Sequence, residues 1–297
     1  MSGSVKGLAA VAASALALST MGILGKVAYR YSVDPLNLVT LRAIIAFATL
    51  FLALTLIRGR LPRIGRAHLV PFALLGLVGI SVNNASFFLA LQHTSVSMAI
   101  VLVYTYPAFV MLGSVLFLKE AFTGRKAMAL AFTFAGCLFI TEAYDTAALH
   151  LNWIGAALGL ITGITKAIYT LTSKRALAHY DPWTTVVFAF GFGALFLAIG
   201  SVSAGRFSLD LPGEAWLIIL AIAWLPTLVG YSLFVVGLKF LEASKASIIA
   251  TVEPVAAMLL SAWILGEQIA PVQFAGVAAV IAGIVLLNLP RRATVPI

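Results

Sequence analysis

The sequence predicts an all-α integral membrane protein of ten transmembrane helices, arranged as two inverted five-helix repeats. Three observations carry this. Of 297 residues, 62% are hydrophobic and only 10% are charged, whereas soluble domains carry about 25% charged residues. The chain also repeats itself at an offset of 147: Asp34-Pro35 recurs as Asp181-Pro182, and Ser97, Pro107, Glu120 and Gly136 recur as Ser244, Pro254, Glu267 and Gly283, with no gap. Finally, Lys and Arg alternate between crowded and empty loops, as successive membrane crossings require.

Apolar runs approaching the roughly 20 residues that cross a bilayer as helix lie near 7–29, 36–57, 69–91, 97–117 and 125–141. The second set lies near 152–173, 183–202, 214–237, 246–265 and 272–289. The first run follows Lys6 and has Ala-x-Ala spacing like a signal peptide. It continues past residue 22 and has a counterpart in the second half, so it reads as a span. Asp34 and Asp181, each before a proline, read as helix starts. Gly59, Pro62, Gly65, Pro212 and Gly213 mark turns between spans. The chain is thus one membrane domain, 1–297, whose halves 1–147 and 148–297 each hold five spans. A duplicated unit with an odd number of spans inserts upside down the second time. Inverted repeats are the architecture of alternating-access carriers, with the substrate site at the midplane between halves.

The start of the chain and the loops after spans two, four, six, eight and ten hold fourteen Lys and Arg, among them Arg58, Arg60, Lys126, Lys174, Arg291 and Arg292. The opposite loops hold only Arg30 and Arg206. Positive charge stays in the cytoplasm, so both termini are expected inside. The net charge of +9 is spread over short loops rather than gathered in a basic domain, so nucleic acid is not an expected partner. The lone Cys137 permits no intramolecular disulfide and no zinc site. His68, His93, His150 and His179 all fall at span ends or in loops. No His-Glu-x-x-His, Gly-x-Ser-x-Gly or Walker-type loop occurs, so neither enzyme chemistry nor a cofactor is expected.

Ionisable groups inside spans are the sharpest functional signal, since each costs about 2.5–3.5 kcal/mol at a helix centre and so faces a bundle interior or wet cavity. Lys166 lies mid-span on one helical face with Thr162, Tyr169 and Ser173. The repeat places Ser19, Gly22 and Lys26 on the matching face of span one. Lys26 sits near the span end, where it either faces the cavity or snorkels. Glu253, before Pro254, is the only carboxylate within a span. It is read as a site for a proton or a substrate ammonium, with structural hydrogen bonding as the alternative. Arg42, about 10 Å into span two at 1.5 Å per residue, reads as a structural ion pair or interfacial anchor, with substrate contact as the alternative. Asn84, Phe87 and Tyr104, with counterparts Tyr231, Phe234 and Thr251, suit an amphipathic ligand: rings cover its apolar part and polar groups orient the rest. Pro107, Pro254 and Pro226 are candidate hinges. Gly155, Gly159 and Gly163 read as a close-packing ladder.

The runs from Ala90-Leu91 through Ser97 and Pro107 to Lys119-Glu120, and from Ser247 through Glu253-Pro254 to Leu265-Gly266-Glu267, resemble the drug/metabolite transporter superfamily, specifically its EamA-type ten-helix exporters. Lys26, Pro35 and Arg42 in the first hairpin fit the resemblance, which spans essentially the whole chain. The tryptophan-glycine usual in the first span is replaced by Leu18-Ser19-Thr20-Met21-Gly22. That start is similar to aromatic amino-acid exporters of the superfamily. The resemblance implies a multi-pass exporter of small metabolites in a bacterial inner membrane, with spans one, three, four, six, eight and nine around a central cavity. Small multidrug exporters of the superfamily use a first-span glutamate for cations. Here the midplane charge is Lys166, so a zwitterion is expected, its carboxylate near Lys166 and its apolar side chain on Phe87, Phe234 and Tyr104. Hydrophobic or aromatic amino acids are the leading substrates. Nucleosides, sugars or amphipathic drugs, and a non-transporting sensor or assembly role, are the alternatives. Proton coupling versus facilitated diffusion, and monomer versus homodimer, stay open.

Overall fold

The computed structural model describes residues 3–59, 62–94, 96–143 and 152–289. Arg60, His150, Arg291 and Arg292 lie outside them. Ten spans follow in chain order: α1 (Gly3–Tyr29), α2 (Pro35–Arg58), α3 (Arg66–His93), α4 (segments Val96–Val103 and Tyr106–Leu118), α5 (Gly124–Ile140), α6 (Trp153–Ala176), α7 (Pro182–Ser203), α8 (Gly213–Phe240), α9 (segments Ala243–Ile249 and Val252–Leu265) and α10 (Pro271–Asn288). All but α5 are long and apolar enough to cross a membrane, α10 with 18 residues being the shortest of them. With 17 residues, α5 stands at the lower bound of about 17–25. Exposed Leu16, Leu52, Leu116 and Leu217 ring the bundle, as a lipid surround requires.

Packing follows the repeat. α1 lies against α8 and α9, while α6 lies against α3 and α4; α2 pairs with α7 and α5 with α10. Exchanging each span for its counterpart maps this set onto itself, the signature of a two-fold relation. Equivalent starts are capped alike. The Asp34 carboxylate accepts from the Leu36 and Asn37 amides at 2.8 and 3.1 Å, and Asp181 accepts from Trp183 and Thr184 at 3.1 and 3.2 Å, satisfying donors that a helix N-terminus leaves orphaned. Each aspartate also meets an arginine of the other repeat: Arg206 at 3.4 Å from Asp34, Arg58 at 2.8 Å from Asp181.

Partial burial pushes the Asp181 pKa up, but hydrogen bonds from Arg58 and Thr184, with the Arg58 charge, outweigh it and hold the value at about 2. A depressed folded pKa gives stability that is complete above the unfolded value of about 3.9 and is lost as pH falls through about 2. Asp181→Ala should therefore cost about 1 kcal/mol at neutral pH. It should also flatten the acid side of the stability profile, read by thermal unfolding in detergent from about pH 5 down to about pH 2. An unchanged acid limb would contradict this account.

Helix geometry is interrupted where the repeats say it should be, though in a form the sequence did not announce. π-helical turns occupy Leu77–Val82 in α3 and Ala223–Gly230 in α8, the second containing Pro226, which cannot donate to a preceding carbonyl. α4 breaks at Tyr104-Thr105 and α9 at Ala250-Thr251, each just before Pro107 or Pro254. The glycine ladder of α6 packs as expected: a Cβ on Gly159 would sit 2.8 Å from the Leu102 side chain of α4. α5 and α10 come closer still, since a Cβ on Gly136 would lie 2.6 Å from the Gly276 carbonyl oxygen.

Candidate substrate site

A cavity of about 450 Å³ lies between the repeats. Its wall comes mainly from α1, α3, α4, α6, α8 and α9, with Arg42 added from α2, Ile140 from α5 and Gln273 from α10. It opens at the end remote from the Lys- and Arg-rich loops, where Glu142, Glu267, Gln268 and Gln273 line the mouth. Lys166 borders it, with Nζ 3.5 Å from Glu253 Oε2. The ammonium also stands 5.5 and 4.6 Å from the centroids of Tyr104 and Tyr106, close enough for cation–π attraction. Tyr106 is the repeat counterpart of Glu253, so equivalent positions hold Lys166 by different chemistry. The side chains of the pair remain 26% and 20% exposed, which leaves both heads within reach of a ligand.

Arg42 is the second charge in the wall, only 5% exposed. Its guanidinium donates to Thr227 Oγ1 and Met21 Sδ, both at 3.1 Å, and to Asn84 Oδ1. All these partners are neutral. Among the described residues no carboxylate lies within ion-pair distance of Arg42, so the expected structural ion pair is not there. Asn84 also donates to the Ile80 carbonyl at 2.6 Å. Its amide is thus engaged at both ends and holds Arg42 in place. Asn83 donates to the Thr162 carbonyl at 2.8 Å and Thr165 Oγ1 at 3.0 Å, tying α3 to α6. An aromatic wall faces these charges: Phe87 and Phe88 meet edge-on at 5.6 Å, and Tyr231 stands edge-on to Tyr169 at 5.5 Å.

The two ends of the cavity are held differently although their residues repeat. At the basic end Glu120 accepts from the Ala243 amide at 2.6 Å, the Ser244 amide at 3.2 Å and the Ser244 hydroxyl at 2.5 Å. Lys126 lies 3.7 Å from Glu120 and 2.9 Å from Glu242. Lys174 donates to the Leu238 and Leu241 carbonyls at 2.6 Å each, capping the C-terminus of α8. This end is sealed. At the mouth Glu267, the counterpart of Glu120, pairs with Lys26 at 2.8 Å, both largely exposed. Lys26 is accordingly neither a midplane group nor a lipid snorkel but half of a mouth ion pair.

The EamA-like transporter family matches residues 5–142 and again residues 153–289. The chain belongs to that family. An uncharacterized transporter of Archaeoglobus fulgidus is 31% identical over 88% of this chain and 92% of its own. The threonine/homoserine exporter RhtA of Escherichia coli K12 is 27% identical over 74% of this chain and 71% of its own. A solved crystal structure superposes with a TM-score of 0.80 at 18% identity, covering 95% of this chain and 96% of its own, which is a likeness of fold. The protein is therefore a multi-pass membrane transporter, and its role is transport.

Within this EamA-like transporter, Lys166, Glu253, Asn84, Tyr104, Tyr231, Phe87, Phe234, Thr162, Tyr169, Ser19 and Pro254 all border the cavity. Thr251 does not. It is 1% exposed and its hydroxyl donates to the Ile248 carbonyl at 2.6 Å, because the break in α9 turns it into the packing. Pro107 and Pro226 sit behind the wall. Sequence reasoning favoured a structural role for Arg42 over a place in the wall and missed Met21 and Met258 as lining. For Arg42 a signal existed: the positions three and four away on its own helix are Leu38, Val39, Ile45 and Ala46, none an acid.

Proposed function

We propose that this EamA-like transporter exports α-amino acids with apolar or aromatic side chains across a bacterial cytoplasmic membrane by alternating access. The observation that carries the reading is a single cavity with an accessible charge pair, Lys166–Glu253, on one side and Phe87, Phe88, Tyr231 and Phe234 on another. A ligand with two charged heads and an apolar body answers to both walls. The volume lies at the lower end of the range of about 300–1,000 Å³ for small-molecule pockets. The relative named as a threonine/homoserine exporter supports amino acids as the general class and the outward direction, while the aromatic wall is what favours apolar side chains. The basic loops favour cytoplasmic termini; on that reading the sealed end faces inside and the mouth faces out. Glu253, the described wall carboxylate away from the mouth, is the candidate proton site through which export would be coupled.

Proteoliposomes loaded with excess unlabelled phenylalanine should accumulate labelled phenylalanine by counterflow, and empty liposomes should not. Absence of accumulation, with the protein shown to be folded and inserted, would remove the aromatic amino-acid reading.

A further inference from the structure

The charges of the cavity do not balance, and the imbalance identifies one residue. Lys166 is neutralised by Glu253 at 3.5 Å and shielded by two tyrosine rings. Lys26 is neutralised by Glu267 at the mouth. Glu142 borders the mouth too, beyond ion-pair reach of Arg42. Among the described residues, Arg42 is the cation that combines deep burial, a place in the wall and neutral hydrogen-bond partners. A buried guanidinium without an anion is costly, because the low-dielectric surround replaces the water it has lost. Its planar fork matches a carboxylate. Asn84 and Thr227, from α3 and α8, fix the guanidinium from opposite repeats, so the fork is positioned before any ligand arrives.

We infer that Arg42, not Lys166, is the anion subsite: it takes the carboxylate of the substrate, whose apolar body lies on Phe87, Phe88 and Phe234. This rests on the cavity being the substrate site and deepens that reading by requiring a carboxylate on every good substrate. The sequence had pointed the carboxylate at Lys166 because it could not show that Glu253 already holds that cation.

The test is a competition panel against labelled phenylalanine counterflow, with thermal shift of the purified full-length protein as a binding readout. The panel is phenylalanine, phenylalaninamide, 3-phenylpropionate and phenethylamine. Wild type should prefer the two carboxylates over the amide and the amine by at least about tenfold, the scale of one charge-assisted hydrogen-bonded contact. Arg42→Gln should erase that preference. Arg42→Lys, which keeps the charge and loses the fork, should retain the preference with weaker binding. If Arg42→Gln does not fold, Arg42→Lys carries the comparison, and an acid affinity that it leaves unchanged overturns the subsite; amide and acid binding alike by wild type overturns it too. So does an Arg42→Gln variant that still prefers acids, and so does a folded wild type that binds neither carboxylate. Binding of 3-phenylpropionate without phenylalanine would leave the subsite standing and remove the amino-acid reading. Phenylalanine transport with equal competition by phenylalaninamide would do the reverse.

Discussion

Lys166→Ala is expected to reduce phenylalanine counterflow by tenfold or more while leaving a folded, inserted protein. The substitution does two things. It removes the cation that Tyr104, Tyr106 and Glu253 converge on, and it leaves Glu253 facing the cavity without its partner. Breaking a fully buried pair costs about 3–5 kcal/mol, and the 20–26% exposure of these side chains lowers that through solvent screening. Even about 1.4 kcal/mol is tenfold in an equilibrium constant. Glu253 without Lys166 would hold the substrate ammonium too tightly to release it, which slows turnover. The double variant Lys166→Ala with Glu253→Gln separates packing from charge. It should restore thermal stability, since no unpaired charge remains, and still fail to transport. Counterflow of the folded single variant at the wild-type rate would remove Lys166 from the mechanism.

The spans and their duplication were legible in the sequence because both depend on composition and period. A bilayer demands long apolar runs, and a gap-free offset of 147 carries Asp34, Pro107 and Glu120 onto Asp181, Pro254 and Glu267. The wall of the cavity was mostly legible too, since polar groups within spans have few places to go. What could not be read was the pairing among them. Lys166 finds Glu253 across 87 positions of chain, and Arg42 finds Asn84 and Thr227 instead of an acid; neither partner is set by spacing along a helix. The π-helical turns of α3 and α8 were also invisible, because no residue pattern distinguishes them from regular apolar helix. Thr251 shows the third limit. Its counterpart Tyr104 borders the cavity while Thr251 is turned into the packing. Sequence equivalence between repeats guarantees similar surroundings only when both halves adopt the same conformation, and here one end is sealed while the other is open.

Glu120→Ala is expected to unseal the basic end, where Glu120 ties the start of α9 to the end of α4. Its carboxylate takes three hydrogen bonds from the first turn of α9 and stands near Lys126. A negative group at a helix N-terminus gains from the orphaned amides and the dipole, and each charge-assisted bond is worth about 1.5–3 kcal/mol. Water entering the opened end would satisfy the same donors, so only part of this sum reports on the conformational balance. A loss of about 3 kcal/mol would shift that balance by two orders of magnitude. The repeat supplies the reciprocal state, with Glu267 free to leave Lys26 and seal the mouth as Glu120 lets go. The measurement uses a Cys137→Ala background, since Cys137 is the native cysteine and is fully buried. Ser247→Cys reports on the sealed end, where the native serine is 0% exposed, and Ser261→Cys reports on the cavity wall. With Glu120 intact, a membrane-impermeant thiol reagent should label position 261 from the mouth side and leave 247 unmodified. With Glu120→Ala, position 247 should become reactive from the basic side and position 261 should slow. Reactivity rising at both positions together would mean that the bundle has loosened rather than switched, and would refute a reciprocal exchange governed by Glu120.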